Sequence, residues 1–227
     1  MSKVAVVVPC RNEAATIGAL VRRLLCYGPV VVVDDGSTDD TWGEARRAGA
    51  VVVSHPASRG IGPAVMSGWL QALGAKRLVV IDAGGSHDPA EVERLLAVEA
   101  DIVIGSRFVA SGRYLGGHCW RRWGSRLAAL ACNLAQAGPC LRDWTSGYRV
   151  YSARAIEALR ARSYTATMHA WQIETLGCAR DAVGLTIREV PITYRAGASS
   201  LRLAGINAAW LVWLQLMHHR GYRGVGK

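Results

Sequence analysis

Residues 4–40 read VAVVVPCRNEAATIGALVRRLLCYGPVVVVDDGSTDD, in which two short β-branched runs lie on either side of a helical stretch. The runs at 4–9 and 30–33 predict strands, and the residues at 12–26 predict a helix. A fully apolar strand is typical of a sheet that is covered on both faces. Because a helix joins the two strands, we expect them to lie parallel in one sheet. This stretch therefore indicates an α/β fold.

The same alternation of strands and helices continues to about residue 104. Further strands are predicted at 51–54, 78–81 and 102–104, and further helices at 38–48, 63–73 and 89–98. Such a repeat predicts a mostly parallel central sheet flanked by helices. The chain has 227 residues, a length that suits one domain of this class.

Polar clusters follow three of the predicted strands, at residues 11–13, 34–37 and 82–84. One such cluster is explained well enough by a helix cap or a turn, since Asp and Asn favour both. Three clusters at equivalent strand ends favour a shared site, because ligands bind at the carboxyl ends of strands in open α/β sheets.

The net charge of +10 is concentrated in two late segments. Residues 102–142 contain six arginines and no acid, and residues 190–227 contain four arginines, one lysine and no acid. The rest of the chain is close to neutral. A local basic excess beside Trp-rich apolar helices favours an anionic membrane surface as partner. We find no nucleic-acid-binding motif and expect no nucleic-acid partner.

Two amphipathic helices are predicted in these basic segments. The first carries an apolar stripe at three- and four-residue steps, formed by Trp120, Trp123, Leu127, Leu130 and Leu134. Arg122 and Arg126 lie one turn apart beside it. The second carries Ile206, Trp210, Trp213 and Met217. Trp and Arg at the edge of an apolar face predict interfacial helices, and ordinary core helices are the alternative.

Localisation follows from the apolar runs. The N-terminal run is too short for a signal peptide, and the longest C-terminal run, at 204–217, is shorter than the ~20 residues of a membrane-spanning helix. We therefore expect a cytoplasmic protein that is peripherally associated with the membrane.

None of the six cysteines has zinc-site spacing, which favours structural thiols. No oligomeric state is predicted.

Eight short motifs identify a family. In chain order they are VPCRNE at 8–13, VDDGSTD at 33–39, RGIGPA at 59–64, DAGGSHDP at 82–89, GSR at 105–107, DWTSGYR at 143–149, QIE at 172–174 and VPITYR at 190–195. Their order and spacing resemble family 2 glycosyltransferases of the dolichol-phosphate (polyprenyl-phosphate) mannosyltransferase type, over about residues 4–202.

This resemblance implies a single GT-A domain that spans residues 1–227. Residues 1–110 would form the nucleotide-sugar-binding half and residues 111–202 the acceptor half, with an amphipathic basic helix and tail at 203–227. The implied reaction moves a hexose, mannose or glucose, from a nucleotide-diphosphate sugar to a polyprenyl or dolichyl phosphate at the membrane surface. Inversion at the anomeric carbon is expected.

The resemblance also implies site residues. The nucleotide sugar would contact Pro9, Arg11, Glu13, Asp34, Asp35, Gly62, Asp82, Ala83, Arg107 and Arg195. The lipid phosphate would contact Arg122, Ser125 and Arg126, and two guanidinium groups one turn apart suit phosphate oxygens. The catalytic set would be Asp82, Arg107 and Asp143.

The expected metal loop departs from the family pattern. Relatives carry Asp-x-Asp where this chain has Asp82, Ala83 and Gly84. We expect Asp82 to bind Mg²⁺ or Mn²⁺ weakly, with help from Ser86, His87 or Asp88 and from the diphosphate. Two alternatives stay open. One is a transferase for a saccharide or soluble hydroxyl acceptor, with Asp143 as general base. The other is a non-catalytic nucleotide-sugar-binding protein.

Overall fold

The structure, a computed structural model, describes residues 3–117, 119–135, 138–168, 170–181 and 184–196. The second amphipathic stretch and the predicted tail at 203–227 lie outside the described residues. No helix among the described residues is long and apolar enough to cross a membrane.

The first half of the chain alternates strands and helices as expected. The elements are β1 Val4–Cys10, α1 Ala14–Leu24, β2 Val30–Asp34, α2 Thr41–Arg47, β3 Val51–Ser54, α3 Ile61–Gln71, β4 Arg77–Val80, α4 Val92–Leu96 and β5 Ile102–Ser106. The helix predicted at 89–98 is instead a 3₁₀ turn, Pro89–Glu91, followed by the short α4. The other predicted bounds agree to within three residues.

The second half adds four strands and three helices. They are β6 Arg113–Leu115, α5 Cys119–Ala135, β7 Arg149–Ser152, α6 Ala153–Arg160, α7 Ala170–Asp181, β8 Ile187–Pro191 and β9 Thr193–Arg195. Of these seven, sequence patterns predicted α5.

Seven strands form the central sheet, in the order β3-β2-β1-β4-β7-β5-β8. All neighbouring pairs are parallel except those of β7, which runs antiparallel to β4 and β5. The sheet is therefore mostly parallel, as predicted. Because β7 and β8 come from the second half of the chain, both halves build this one sheet. A small parallel pair, β6 and β9, stands beside it.

Apolar side chains alternate between the two faces of the sheet and fill a core on each. On β1, Val7 packs in the core that α3, α6 and α7 cover, whereas Val6 and Val8 pack in the core that α1, α2 and α4 cover. Helices on both faces leave the carboxyl ends of the parallel strands as the open edge of the fold.

Candidate active site

The polar clusters that follow β1 and β4 meet at this edge, because β1 lies between β2 and β4 in the sheet. A Cβ built on Gly84 would lie 3.3 Å from Oε1 of Glu13. The Glu13 carboxylate thus faces the loop that follows Asp82. Asp34, at the end of β2, accepts a hydrogen bond from the amide of Ser37. Glu13 and the Asp82 loop therefore lie next to each other, and a shared ligand-binding crevice stays a prediction.

Asp35 is buried and holds the loop at 55–60 in place. Its Oδ1 accepts hydrogen bonds from Nδ1 of His55 at 2.7 Å and from the Arg59 amide at 2.9 Å. Its Oδ2 accepts from Oγ of Ser58 at 2.7 Å and from the Gly60 amide at 2.9 Å. Burial alone would raise the pKa of Asp35, but these donors outweigh it and lower the pKa. With two donors on each oxygen, Asp35 shapes the loop; a nucleoside contact by Asp35 stays a prediction.

The start of α3 packs tightly against the segment before α7. Gly60 has a φ of +98°, in the left-handed region that favours glycine. A Cβ on Gly62 would lie 2.6 Å from Cδ1 of Trp171, and the Gly62 amide donates to the Thr167 carbonyl at 2.9 Å. Gly62 was expected to contact the nucleotide sugar. Its amide is already bonded and Trp171 excludes a side chain, so Gly62 packs α3 against α7; its contact with the nucleotide sugar stays a prediction.

Arg107 and Asp143 form a buried ion pair at the end of β5. The arginine Nε donates to Oδ2 of Asp143 at 2.7 Å, Nη2 donates to Oδ1 at 2.6 Å, and the Arg107 amide donates to Oδ2 at 3.0 Å. The guanidinium carbon also lies 5.1–5.7 Å from the ring centres of Phe108, Tyr114 and Tyr194. Arg107 is thus held on Asp143 and among three aromatic rings.

This pairing does not leave Asp143 as a free general base. Burial would raise the pKa of Asp143, but the Arg107 charge and the hydrogen bonds lower it below its usual value. The carboxylate is 0% exposed, and Glu189 binds its amide. These contacts show that Asp143 holds Arg107 in position, and its role as general base for a hydroxyl acceptor stays a prediction.

Sequence patterns gave no prediction for Arg149, on β7, although it ends the motif at 143–149. Its guanidinium is buried and donates to the carbonyls of Ser146 at 2.8 Å and Trp144 at 3.0 Å. It therefore ties the Asp143 segment to the sheet. A charged residue in a short strand gave no apolar run to detect, which is also why β7 was not predicted.

Asp82 lies in a cluster of buried polar atoms that lack partners. A Cβ on Gly147 would lie 3.1 Å and 3.4 Å from the two Asp82 carboxylate oxygens and 3.5 Å from Nε2 of Gln172. Nδ1 of His87 lies 3.5 Å from Oδ2 of Asp82. Within the described residues, Oδ1 of Asp82, Nδ1 of His87 and Oε1 of Gln172 are buried without a hydrogen-bond partner. Such atoms suit a bound cation or a polar substrate group.

Ser86 and Asp88 are the other two residues expected to help bind the metal. Asp88 forms an ion pair with Arg23 at 2.7 Å and accepts a hydrogen bond from the amide of Ala90, so its carboxylate already has partners within the protein. The carbonyl of Ser86 accepts from the amide of Arg195 at 2.8 Å, which brings Arg195 beside the metal loop. No group of three or more His, Cys, Asp or Glu side chains in the described part of the chain could hold a metal ion. Asp82 and His87 fit a metal only if substrate oxygens complete the shell.

Burial lowers the pKa of His87, and the Arg107 charge adds to this, whereas Asp82 opposes it. The ring is therefore uncharged at neutral pH. It packs between Tyr148 and Tyr194, with ring centres at 4.9 Å and 5.3 Å. A neutral ring in this position can offer a nitrogen lone pair to a ligand.

A separate pocket of ≈ 320 Å³, here called the arginine pocket, opens beside β6 and α5. Its lining residues are Tyr114, Gly116, Gly117, Cys119, Arg122, Trp123 and Arg126. Two of the three predicted lipid-phosphate residues, Arg122 and Arg126, thus line one pocket, and half-buried Ser125 does not. The Arg126 guanidinium carbon lies 5.3 Å from the Phe108 ring centre, and that of Arg107 lies 5.2 Å from it. Phe108 therefore connects the arginine pocket to the Arg107–Asp143 pair.

The large apolar side chains of α5 point to solvent. Trp123, Leu127, Leu130 and Leu134 are between 56% and 80% exposed, whereas the small residues Ala128, Ala129 and Cys132 are buried. Within the described part of the chain, the small residues of α5 and not its apolar stripe face the core. This exposure favours the interfacial helix of the two alternatives, which stays a prediction. We call these four exposed side chains the apolar face of α5.

The remaining predicted residues lie near the same edge. Pro9 is buried near the end of β1, where it pairs with Val33, and Ala83 is buried after Asp82. Arg11 is exposed after β1. These positions are compatible with donor contacts, which stay predictions.

Comparison with known proteins identifies the family. Residues 5–156 match the sequence model described as Glycosyl transferase family 2. The chain belongs to this family. The transferase is 35% identical over 205 residues to undecaprenyl-phosphate mannosyltransferase of Micrococcus luteus, covering 85% of this chain and 83% of the relative. It is 34% identical over 203 residues to polyprenol monophosphomannose synthase of Mycolicibacterium smegmatis, covering 83% and 76%.

Solved structures confirm the GT-A fold of this glycosyltransferase. Glucosyl-3-phosphoglycerate synthase from Mycobacterium tuberculosis, in complex with Mn²⁺, uridine-diphosphate-glucose and phosphoglyceric acid, superposes with a TM-score of 0.76. The match covers 97% of this chain and 80% of the other, at 25% identity. The transferase is thus an enzyme similar to polyprenyl-phosphate mannosyltransferases.

The buried ion pair gives a stability prediction. Asp143→Asn leaves the Arg107 charge buried without its partner, which costs about 3–5 kcal/mol of folding free energy. Urea unfolding followed by circular dichroism measures the loss. Glu157→Gln, which removes the exposed partner of Arg160, is the matched control and changes stability little. Equal effects of the two substitutions would contradict the assigned role of Asp143.

Proposed function

We propose that this transferase moves a hexose from a nucleotide-diphosphate sugar to a polyprenyl or dolichyl phosphate at a membrane surface. One observation carries the proposal. The arginine pocket shares Tyr114 with the aromatic rings around Arg107, and it shares Trp123 with the apolar face of α5. A phosphate bound there would have its lipid chain beside exposed apolar side chains. The names of the two relatives support a lipid-phosphate acceptor.

The donor would occupy the crevice at the carboxyl ends of β1, β2 and β4. We assign nucleoside contacts to Pro9, Arg11, Glu13 and Asp34, with Asp35 and Gly62 shaping the adjoining loop and helix. The diphosphate would lie between Asp82 and Ala83 on one side and Arg195 on the other. Oε2 of Glu13 accepts from the Thr16 hydroxyl, so Oε1 is left to accept from the donor's hydroxyl or base N–H groups.

The reaction needs no strong general base. A phosphate monoester has a second pKa of about 6, so the attacking oxygen is already anionic at neutral pH. This agrees with a site in which Asp143 is bound to Arg107. Attack from the side opposite the leaving diphosphate inverts the anomeric carbon. Positioning of two anionic partners and neutralisation of the leaving group then supply most of the rate.

Arg122 and Arg126 hold the acceptor phosphate in this proposal. Both side chains are exposed, and no carboxylate among the described residues forms an ion pair with either of them. Guanidinium groups one helical turn apart can each donate two hydrogen bonds to phosphate oxygens. Arg107, behind Phe108, stays bound to Asp143, whose carboxylate balances its charge.

A divalent metal fits beside Asp82, which would hold it together with oxygens of the donor diphosphate. When bound, such a cation neutralises the charge that develops on the leaving diphosphate. The solved relative with Mn²⁺ and uridine-diphosphate-glucose supports a divalent metal for this fold. In the chain itself, the orphaned polar atoms around Asp82 are the observation that supports it.

Transfer assays test the proposed function. With Mn²⁺ present, radiolabel from GDP-mannose or UDP-glucose is expected to move to a short polyprenyl phosphate, and not to the corresponding polyprenol, which lacks the anionic nucleophile. Thin-layer chromatography of the lipid fraction measures the product. Transfer to phosphoglycerate or a saccharide alone would overturn the lipid acceptor. Donor binding without turnover on any acceptor would support the non-catalytic alternative.

The arginine pocket gives a second prediction. Arg122→Ala with Arg126→Ala is expected to raise KM for the polyprenyl phosphate at least tenfold, since two charge-assisted hydrogen-bonding groups are lost. Binding of the nucleotide, measured by calorimetry with GDP and UDP, should stay within twofold of the original.

Arg22→Ala with Arg46→Ala is the control for this pair. It removes the same charge from the last turns of α1 and α2, which lie at the opposite end of the sheet. Its KM for the lipid should be unchanged. If the pocket variant lost nucleotide binding as strongly as it lost lipid affinity, the acceptor assignment would be wrong.

The apolar face of α5 gives a third prediction. Trp123→Glu with Leu127→Glu should abolish co-sedimentation with vesicles of phosphatidylglycerol and phosphatidylcholine, because these side chains would insert among the lipids. Leu70→Glu with Leu73→Glu is the control, since both leucines are 57% exposed on and after α3. The control should bind vesicles as the original chain does. Equal loss in both variants would argue against docking by α5.

A further inference from the structure

The metal loop has one carboxylate fewer than Asp-x-Asp requires, because residue 84 is glycine. If the transferase uses a divalent metal, as the proposed function holds, Asp82 supplies one protein ligand. Divalent Mg²⁺ and Mn²⁺ are usually held by one or two side chains together with phosphate oxygens. The coordination shell therefore has room for a second protein donor atom near Asp82.

We propose that Nδ1 of His87 is this second ligand, so that Asp82 and His87 together hold the divalent cation. The two donor atoms, Oδ2 of Asp82 and Nδ1 of His87, lie 3.5 Å apart. With metal–ligand distances of about 2.1 Å, two ligands lie about 3.0 Å apart at a right angle and about 3.4 Å apart at a tetrahedral angle. One cation can thus contact both after a shift of a few tenths of an ångström.

The surroundings of His87 suit a fixed ligand. The residue is 4% exposed, and its ring packs against Tyr148 and Tyr194. An isolated β-bridge joins its backbone to Tyr194. Its Nδ1 is buried and has no hydrogen-bond partner within the described residues. Oδ1 of Asp82 is also buried without a partner, and Oδ2 of the same carboxylate is the oxygen nearest to Nδ1 of His87. Buried polar atoms are normally paired, so an unpaired nitrogen beside a carboxylate with an unpaired oxygen indicates a ligand that binds to both side chains.

Other side chains near the loop fit less well. Asp88 is bound to Arg23 and caps the 3₁₀ turn. Glu13 is the main rival, because its Oε1 lies 3.3 Å from the Cβ position of residue 84. It is partly exposed, and its other oxygen accepts from Thr16. Its place beside the nucleoside residues favours a contact with the donor. Gln172 also has a buried oxygen, Oε1, without a partner, but it is its Nε2 that lies 3.5 Å from the Cβ position of residue 147.

A nitrogen ligand changes which metals bind best. Mg²⁺ strongly prefers oxygen ligands, whereas imidazole binds later first-row metals more tightly. With His87 in place of a carboxylate, the site should favour Mn²⁺ and Co²⁺ over Mg²⁺. Restoring an acid at position 84 should move this preference back towards Mg²⁺. Residue 84 is exposed, and its φ is not in the left-handed region, so Gly84→Asp is compatible with the backbone.

Electron paramagnetic resonance of Mn²⁺ tests the ligand directly. The full chain is mixed with Mn²⁺, alone and with GDP or UDP, and electron spin echo envelope modulation is recorded. Nitrogen coupling from an imidazole is expected in the original chain and should be absent in His87→Gln. His218→Gln with His219→Gln is the control and should keep the coupling. Bound Mn²⁺ without nitrogen coupling in the original chain would overturn the inference, without the need for any variant.

Mn²⁺ affinities give a second measurement. His87→Gln should bind Mn²⁺ at least tenfold more weakly, with its melting temperature recorded to verify folding. Adding Gly84→Asp to His87→Gln should restore most of the affinity and let Mg²⁺ compete better. Asp88→Asn is the control and should leave the Mn²⁺ affinity unchanged. An unchanged affinity in His87→Gln, together with a loss in Glu13→Gln, would assign the site to Glu13 and overturn the role of His87.

The two proposals fail in different ways. Transfer to polyprenyl phosphate without nitrogen coupling would overturn the His87 ligand and leave the proposed function standing. Nitrogen coupling from His87 without transfer to any acceptor would support the ligand and overturn the proposed function.

Discussion

The site depends on the buried pair between Arg107 and Asp143. It joins the end of β5 to the segment at 143–149, which β7 carries back into the sheet. Neither charge could stay buried without the other, so the two segments are held in one relative position. The rings of Phe108, Tyr114 and Tyr194 pack around this pair. Through them, the end of β5 is connected to the arginine pocket.

The first half of the fold was predictable because its strands are continuous apolar runs. Each of the first five strands ends near a turn or helix signal, so its bounds follow from the sequence. The second half was not predictable in this way. Strand β7 contains Arg149, and this charged residue interrupts the apolar pattern that indicates a buried strand. Its guanidinium donates to the carbonyls of Ser146 and Trp144. These carbonyls meet the guanidinium only in the folded protein, so the periodicity of the sequence does not predict them.

The same distinction separates the predicted site residues. Arg122 and Arg126 follow helical spacing, and the structure brings them into one pocket as expected. Three other residues lie within the motifs, yet each of them contacts a neighbouring segment of the protein: Asp35, Gly62 and Asp143. The sequence can report that a carboxylate ends a strand, but not whether internal donors already occupy it. That difference decides whether an acid can meet a substrate, and it requires the folded contacts.

The metal loop has glycine at residue 84, where Asp-x-Asp would have a second carboxylate, and the imidazole of His87 lies near the remaining acid, Asp82. With glycine at residue 84, the carboxylate of Asp82 lies beside the buried imidazole of His87, and each has a buried atom without a hydrogen-bond partner among the described residues. A folded protein tolerates such unpaired atoms only where a ligand completes them, or where stability is given up. Because His87 is fixed by Tyr148 and Tyr194, its nitrogen cannot turn away to find another partner. The loop therefore keeps a polar centre with one acid, and in the proposed metal site this centre would offer one oxygen and one nitrogen where Asp-x-Asp would offer two oxygens.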